Sequence, residues 1–348
     1  MTEAASRGGA EKGRTTPMGS GAEFDLIRML VGEPEGYNPV HSPAVSMGPG
    51  DDAAVLLSRS LAGQLVVSTD LSVEDVHFRR SWVSFEEVGF RAVMAAASDL
   101  AAMAARPVAV LLSVAVADTE AETVLAEVGR GVRDALAGLD VPLVGGDLSA
   151  SPGPLLLDVT VLGETGDPIL RNSAVDGDEL WVTGRLGGSA AAVRAWRSGD
   201  RPLPGLREAF ARPVARVREA LWLAEHGNLH AMIDLSDGLE GDAGHLAAAS
   251  GVRIEIEPDL VPLHPDLGAD DLSLGLSGGE DYELCIAAPP GAMVALVEAF
   301  DERFQAPLTR VGRVIEGAGA YVLPSESRGG GSVAAGGFDH FAGEEPAC

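Results

Sequence analysis

Lysine is almost absent from this chain of 348 residues. The single lysine, Lys12, lies in an N-terminal segment rich in small polar residues. A Walker A loop needs a lysine against the β- and γ-phosphates of a nucleotide, a protein-kinase site needs one on a strand, and a Schiff-base enzyme needs one as its nucleophile. The sequence offers no candidate for any of the three. Phosphate groups bound by this protein would therefore contact arginine, backbone N–H groups and bridging metal ions.

Cysteines and long apolar runs are also scarce. The two cysteines, Cys285 and Cys348, form no CxxC pair and no metal-ligand spacing, which is typical of a reducing compartment. No apolar run reaches the roughly 18–20 residues that cross a bilayer, and the N-terminus does not resemble a signal peptide. The formal net charge of −27 disfavours binding to nucleic-acid backbones and anionic membranes. We expect a cytoplasmic protein with no nucleic-acid and no membrane partner.

The length predicts roughly two domains, and a hydrophobic fraction of 46% excludes a disordered chain. Strand-like and helix-like segments alternate, which is typical of an α/β fold, here of the two-layer α+β type. The turn-forming segment 163–168 is the best boundary between two consecutive α/β halves. We expect a disordered tail over 1–20, domains over 21–165 and 166–342, and a short tail over 343–348.

Apolar periodicity places the individual elements. Strands are predicted at 65–69, 108–116, 142–144, 155–162, 179–183, 231–235, 253–256 and 282–287. Helices are predicted at 84–105, 119–136, after the glycine-rich turn 184–188, and at 205–227, 239–250 and 291–304. Ser84 and Glu87 have the spacing of a capping box, as do Thr119 and Glu122. Gly138 is expected to end the helix that Thr119 begins.

Aspartates at strand ends and in glycine turns are the most informative residues. Each alone is explained by turn or cap chemistry, but Asp99 lies in an apolar helix, where a carboxylate is rare without a partner. Strand ends are also where α/β proteins bind ligands. No histidine or cysteine accompanies the acids at ligand spacing, so all-oxygen ligands and Mg²⁺ are indicated. The acidic motifs are Asp51-Asp52, Ser68-Thr69-Asp70, Asp99, Gly145-Gly146-Asp147, Asp234-Leu235-Ser236-Asp237 and Glu280-Asp281.

Six motifs in a fixed order carry a resemblance to a known family. They are Gly50-Asp51-Asp52-Ala53-Ala54, Ser68-Thr69-Asp70 with His77-Phe78, Ser98-Asp99-Leu100-Ala101-Ala102-Met103, Gly145-Gly146-Asp147, Ile233-Asp234-Leu235-Ser236-Asp237-Gly238-Leu239 and Ser277-Gly278-Gly279-Glu280-Asp281-Tyr282-Glu283-Leu284. Over about 22–341 the chain resembles the thiamine-monophosphate kinases, within the superfamily that includes aminoimidazole ribonucleotide synthetase. The first motif is shared by the superfamily, and the combination with the third, fifth and sixth is more specific to the kinases.

The resemblance implies ATP-dependent phosphorylation of thiamine monophosphate to thiamine diphosphate, the last step of thiamine diphosphate biosynthesis. It implies direct in-line transfer assisted by several Mg²⁺ ions, and a homodimer formed by the N-terminal domain, which would also bind ATP and metal. The metal ligands it implies are Asp52, Ser68, Thr69, Asp70, Asp99, Asp147, Asp234 and Asp237. The ATP contacts it implies are Gly146, Asp147, Arg171 and Ser236, and the thiamine contacts are His77, Glu280 and Phe338. Asp70, Asp237 and Arg171 are the expected catalytic residues.

The sequence departs from the family pattern at two positions and leaves alternatives open. Ala104 stands where a glycine is expected, and Ala97 where an asparagine is expected. The alternatives are another ATP-dependent enzyme of the superfamily, such as an aminoimidazole ribonucleotide synthetase, a selenophosphate synthetase or the hydrogenase-maturation type, and a non-catalytic nucleotide-binding regulator. Cys348 ends the chain as in the hydrogenase-maturation type, but the Pro-Arg-Ile-Cys ending of that type is missing. A selenophosphate synthetase would need an N-terminal cysteine, and the acidic set is fuller than a sensor requires.

Overall fold

The structure, a computed structural model, describes residues 63–325 together with the backbone of three short strands outside that range. The expected tails at 1–20 and 343–348, and the residues Asp52, Phe338 and Cys348, lie outside the described part of the chain. None of the helices within the described part combines the length and apolar character needed to cross a membrane.

The first half folds into a four-stranded sheet with helices against one face. Its elements, with a preceding short strand pair, are β1 (Val45–Met47), β2 (Val55–Leu56), β3 (Gln64–Val73), α1 (Phe85–Ala102), β4 (Arg106–Val116), α2 (Ala121–Leu139), β5 (Leu143–Ala150) and β6 (Leu156–Thr165). The strand order is β3-β6-β4-β5, and β4 with β5 is the parallel pair. Helix α1 packs against β3 and β6, and α2 packs against α1.

Helix α1 is the element that joins the two halves. Its capping box is present as the spacing predicts, since the Glu87 N–H donates to Ser84 Oγ and the Ser84 N–H donates to the Glu87 carboxylate. Fourteen of its residues are buried, because it contacts the first sheet on one side and the second half of the chain on the other. An apolar helix is stable when it is covered all round.

The prediction of a second capping box, formed by Thr119 and Glu122, is wrong. Residues Asp118–Glu120 form one turn of 3₁₀ helix, so α2 begins after Glu120, which makes no side-chain cap hydrogen bond. The expected stop at Gly138 is also wrong, because Gly138 lies inside α2 and Asp140 adopts the left-handed conformation at its end, with φ 53°.

The second half contains a seven-stranded mixed sheet. Its elements are β7 (Glu179–Thr183), α3 (Gly188–Arg197), α4 (Pro204–Ala211), α5 (Val217–His226), β8 (Ala231–Asp234), α6 (Leu239–Ser250), β9 (Arg253–Ile256), α7 (Leu272–Ser277), β10 (Leu284–Ala288), α8 (Val297–Phe304), β11 (Leu308–Ile315), β12 (Gly319–Val322) and β13 (Val333–Ala334). The strand order is β13-β12-β9-β11-β7-β10-β8, with β9 and β12 as its parallel pair. The expected α/β class is thus confirmed.

Two predicted helices differ from the structure. The helix expected over 205–227 is two helices, α4 and α5, because Pro213 lies between them and has no N–H to donate to a helix. Arg216, with φ 54°, then redirects the chain into α5. The helix expected over 291–304 becomes α-helical only at Val297, after a 3₁₀ turn at Val294–Leu296.

Ala104 occupies the position where the family resemblance led us to expect glycine. Its φ is 49°, in the left-handed region, and the residue is buried directly after α1. A residue with a Cβ costs about 1 kcal/mol or more in this conformation. The chain therefore keeps the backbone turn that the glycine would allow, at a small cost in stability.

Replacing Asp140 by glycine is expected to stabilise the protein. Asp140→Gly relieves a left-handed aspartate and removes a negative charge from the C-terminus of α2. We expect the free energy of unfolding to rise by about 0.5–1 kcal/mol, measured by urea denaturation. Gly251→Ala is the matched control of opposite sign, because Gly251 ends α6 with φ 68° and a Cβ there meets no atom within 4 Å. That variant should lose about 1 kcal/mol, and a loss for Asp140→Gly would contradict the argument.

Candidate active site

A cavity of about 360 Å³ lies between the two halves. β3 and α1 line it from the first half, and the segments after β8 and before β10 line it from the second. The residues that line it are Asp70, Val76, His77, Ala95, Ser98, Asp99, Ala190, Val193, Asp234, Ser236, Asp237, Ser277, Gly279, Glu280 and Tyr282. Seven of the expected site residues are therefore brought to one cavity: Asp70, His77, Asp99, Asp234, Ser236, Asp237 and Glu280.

Three carboxylates from different elements face each other in this cavity. Asp70 lies on β3, Asp99 in α1 and Asp234 at the end of β8. Burial, followed by the negative charges of Asp99 and Asp234, raises the pKa of Asp70 to about 7. Burial and the charge of Asp99 raise the pKa of Asp234 to about 6. Like charges held this close in a buried site favour a bound cation, so the donor set fits Mg²⁺.

Two serines fix the orientation of these carboxylates. Ser68 Oγ donates to Asp99 Oδ2 at 2.5 Å, and Ser98 Oγ lies 2.6 Å from Asp234 Oδ2. Burial raises the pKa of Asp99, and the hydrogen bond from Ser68 opposes that rise. Because Ser98 is on α1 and Asp234 on β8, their contact joins the two halves at the site.

Glycines let the two loops of the second half approach each other. A Cβ on Gly279 would lie 2.5 Å from the carbonyl oxygen of Ser236, and Gly238 has φ 96°. The Glu280 N–H donates to Ser236 O at 2.8 Å and the Tyr282 N–H to Leu235 O at 2.8 Å. These contacts hold the loop of Asp237 against the loop of Glu280.

Asp242 lies next to this cluster and was not anticipated from the sequence. It is 2% exposed, and its Oδ2 accepts the N–H of Asp237 at 3.0 Å. Burial, with the charges of Asp234 and Asp237, raises its pKa to about 8. Asp237, Asp242 and His245 offer ligand atoms within 4.8 Å of one another. An acid five residues after Asp237, in the first turn of α6, was the available signal, but it is also ordinary helix-start chemistry.

His77 lines the cavity just after β3. The Val73 N–H donates to its Nδ1 at 3.1 Å, so the neutral ring carries its proton on Nε2. A short strand-to-turn segment therefore fixes both the position and the tautomer of this histidine.

A second cavity of about 340 Å³ meets the first at Asp99. Ser68, Arg171 and Asn172 give it polar groups, and the rest of its lining is mostly apolar: Val66, Val67, Ala102, Met103, Ile169, Leu170 and Met232. The charge of Arg171 opposes the rise in the pKa of Asp99. The Arg171 carbonyl accepts from Ser250 Oγ at 2.9 Å, which ties the segment between the halves to α6.

Three expected residues are placed away from both cavities. Thr69 points to the opposite face of the first sheet from Asp70, and its Oγ1 donates to Asp158 Oδ1 at 2.7 Å. Gly146 and Asp147 lie on the edge strand β5 and line neither cavity. The two remaining expected residues, Asp52 and Phe338, lie outside the described part of the chain.

The two halves match the AIR synthase related protein family, its N-terminal domain over residues 50–165 and its C-terminal domain over 175–323. The thiamine-monophosphate kinase of Rhodopirellula baltica is 35% identical over 299 residues, which cover 82% of this chain and 89% of that protein. The crystal structure of thiamine-monophosphate kinase from Stenotrophomonas maltophilia K279a is 34% identical with a TM-score of 0.74, covering 87% of this chain and 95% of that one. The chain belongs to the thiamine-monophosphate kinase family.

This membership confirms the family expected from the motifs, and with it the expectation of an enzyme of the phosphotransferase class. A further relative of known structure is AaThiL complexed with AMPPCP and TMP, 30% identical with a TM-score of 0.69. The match covers 91% of this chain and 96% of that one. The similarity to the kinase structures therefore spans both halves of the chain.

The buried carboxylates make the metal-free protein sensitive to pH. The pKa values of Asp70 and Asp234 rise in the folded state from 3.8 to about 7 and about 6, so folding favours their protonated forms. Their contribution to stability is full below pH 4 and is lost as the pH rises through 6 and 7. In the presence of a chelator, we expect these two groups to lower the free energy of unfolding between pH 5 and pH 8 by roughly 2–4 kcal/mol, since one pKa unit is worth about 1.4 kcal/mol. Asp242, whose pKa is raised to about 8, adds to the fall in the same direction.

Asp70→Asn should lose less stability over this pH range than the wild type, whereas Asp118→Asn, at an exposed position in the 3₁₀ turn before α2, should lose the same amount. Urea denaturation at each pH measures the difference, and added Mg²⁺ should restore the stability of the wild type at pH 8. A metal-free protein that becomes more stable on going from pH 5 to pH 8 would contradict the assignment.

Proposed function

We propose that the protein transfers the γ-phosphate of ATP to thiamine monophosphate, giving thiamine diphosphate. The observation that carries this proposal is the meeting of two cavities at Asp99, with Asp70 and Asp234 beside it. Each cavity is in the size range of a small-molecule site. Two ligands whose phosphate groups met at Asp99 would place one phosphate against the other beside the carboxylate cluster.

The lining of each cavity supports a different ligand. The cavity of Arg171 is largely apolar, which suits a flat nucleobase, and Arg171 suits the phosphates of ATP. The cavity of His77 and Glu280 offers a ring N–H, which can donate to a pyrimidine nitrogen of thiamine, and a carboxylate, which can accept from its amino group or pair with its positive charge. Ser236 lies in the same cavity beside Asp237, where a hydroxyl can donate to a phosphate oxygen. Phe338, Gly146 and Asp147 remain part of the proposed site on the family resemblance alone.

Mg²⁺ is the cofactor that the donor set fits. The proposed ligands are Asp52, Ser68, Thr69, Asp70, Asp99, Asp147, Asp234 and Asp237. When bound, the ions would neutralise charge on the two polyanionic substrates. Of these ligands, Asp70, Asp99, Asp234 and Asp237 line one cavity, and Ser68 donates a hydrogen bond to Asp99.

The chemistry needs no base from the protein. The attacking oxygen of thiamine monophosphate belongs to a phosphate group and is already anionic near neutral pH. Asp70, Asp237 and Arg171 would act by positioning and charge neutralisation, so transfer is direct and in line, without a phospho-enzyme. The absence of lysine from the described residues agrees with this division of work.

The first half is also proposed to form a homodimer, in the cytoplasm. The face of β3 opposite Asp70 carries Leu65, Val67 and Leu71, which are 45%, 56% and 50% exposed. An antiparallel sheet that faces water normally carries polar side chains there. Three apolar residues in one row are typical of an interface, and a second copy of the domain over 21–165 is the partner we propose.

Turnover with thiamine monophosphate and ATP tests the proposed reaction. Thiamine diphosphate should form in a Mg²⁺-dependent reaction, with free thiamine and aminoimidazole precursors as the competing substrates. Asp70→Asn should lower kcat by about 100-fold or more because it removes a charge at the site of transfer. The exposed Asp118→Asn should retain wild-type kcat.

Near-wild-type turnover of Asp70→Asn would remove Asp70 from the mechanism. Transfer of labelled phosphate from ATP to the protein in the absence of acceptor would count against direct transfer. Preferential turnover of an aminoimidazole precursor would favour the other members of the superfamily.

Val67→Glu should convert the proposed dimer to a monomer, because it places a charge in the middle of the exposed apolar row. Val294→Glu is the matched control, since Val294 is 61% exposed in a 3₁₀ turn of the second half. Light scattering coupled to size exclusion measures the mass of each variant. A Val67→Glu protein that stays dimeric would place the interface elsewhere.

A further inference from the structure

Arg91 is a buried cation that the proposed reaction does not use. It is the one arginine of α1, and its side chain is 3% exposed. Arg91, Ala95 and Ser98 follow the spacing i, i+4, i+7, so they share the face of α1 that looks toward the first cavity. Ala95 and Ser98 line that cavity, whereas Arg91 lies behind its wall, two turns before the carboxylate cluster.

The guanidinium of Arg91 is held in place by the second half of the chain. Nη1 donates to the carbonyl oxygen of Phe210 at 2.5 Å, and Cζ lies 3.9 Å from the centre of the Phe210 ring. Cζ also lies 5.8 Å from the ring centre of Tyr282. A guanidinium fixed by a carbonyl and an aromatic face holds its positive charge at one position.

The Arg91 charge forms an ion pair with Glu280. Arg91 Nη2 lies 2.5 Å from Glu280 Oε1, and the Glu280 side chain is 18% exposed where it lines the cavity. Breaking a buried ion pair by removing one partner is costly because the other charge stays buried. The pair therefore holds the Glu280 carboxylate at this wall of the cavity.

The backbone of the same loop needs this support. Glu280 has φ 69° and Tyr282 has φ 52°, two left-handed residues without the freedom of glycine. Such residues are strained and persist only where surrounding contacts hold them. Hydrogen bonds to Ser236 O and Leu235 O hold the backbone, and Arg91 is the group that contacts both side chains.

We propose that Arg91 is a positioning residue for the acceptor substrate. Its ion pair with Oε1 holds Glu280 in place, and the other carboxylate oxygen, Oε2, accepts a hydrogen bond from the amino group of thiamine monophosphate or pairs with its positive charge. The proposal rests on the proposed function for its substrate, but the contacts between Arg91 and the loop of Glu280 do not depend on that assignment.

Steady-state kinetics of Arg91→Met and Arg91→Lys test the proposal. Arg91→Met should raise the KM for thiamine monophosphate by about tenfold or more, with the KM for ATP and kcat within about threefold of wild type. Arg91→Lys keeps a positive charge and should recover a substantial part of that loss. Glu280→Gln should raise the same KM, and the double variant with Arg91→Met should add little, because the two residues act through one contact.

Arg207→Met is the matched control. Arg207 forms a two-point ion pair with Glu87, with both N–O distances at 2.7 Å, and this pair joins helix α1 to α4. Neither residue lines one of the two cavities. Its loss should lower stability and leave both KM values within about twofold of wild type. An equal rise of the KM for thiamine monophosphate in Arg207→Met and Arg91→Met would overturn the proposal. Arg91 would then only stabilise the contact between the two halves of the chain.

Hydrogen–deuterium exchange tests the positioning without any substrate. Peptides spanning 278–283 should exchange faster in Arg91→Met than in wild type, and at the wild-type rate in Arg207→Met. Unchanged exchange in both variants would overturn the positioning role. A wild-type protein that does not phosphorylate thiamine monophosphate would overturn the proposed function, and the exchange result would still decide whether Arg91 holds the loop.

Discussion

Mutual repulsion between buried carboxylates is the constraint on which this structure depends. Asp70, Asp99 and Asp234 come from a strand, a helix and a second strand, and the fold holds them together although each raises the cost of ionising its neighbours. Folding alone gains nothing from such an arrangement. A cation bound between these carboxylates would offset the free-energy cost of bringing their charges together.

Helix α1 is the element that holds the groups of this site in place. It supplies Asp99 to both cavities, Ser98 to the contact with Asp234, and Arg91 to the contact with Glu280. It is buried on nearly every side, and its ends are fixed by a capping box and by the left-handed turn at Ala104. An apolar helix clamped between two sheets is a rigid support, and rigid supports hold charged groups in place more accurately than loops do.

The balance of cations follows from the same constraint. In the described part of the chain every cationic side chain other than histidine is an arginine: Arg91 forms an ion pair with Glu280, and Arg171 lines the second cavity. Arginine stays charged at any physiological pH and makes planar contacts to carboxylates and phosphates. The scarcity of lysine thus agrees with the proposed site, in which metal ions and arginines would neutralise the charge of phosphate groups.

The sequence alone determined the family, the α/β class, most strands and the acidic motifs, because these depend on local spacing that is legible along the chain. It missed the break at Pro213, the start of α2 and the role of Asp140, where several local conformations compete and small differences decide. It grouped Thr69 with Asp70 as metal ligands, whereas neighbouring residues of a strand point to opposite faces and Thr69 Oγ1 donates to Asp158. Only the tertiary structure brought Asp99 between two cavities and Arg91 against Glu280. Those contacts join residues far apart in the chain, and their strength depends on burial, which no single segment of sequence contains.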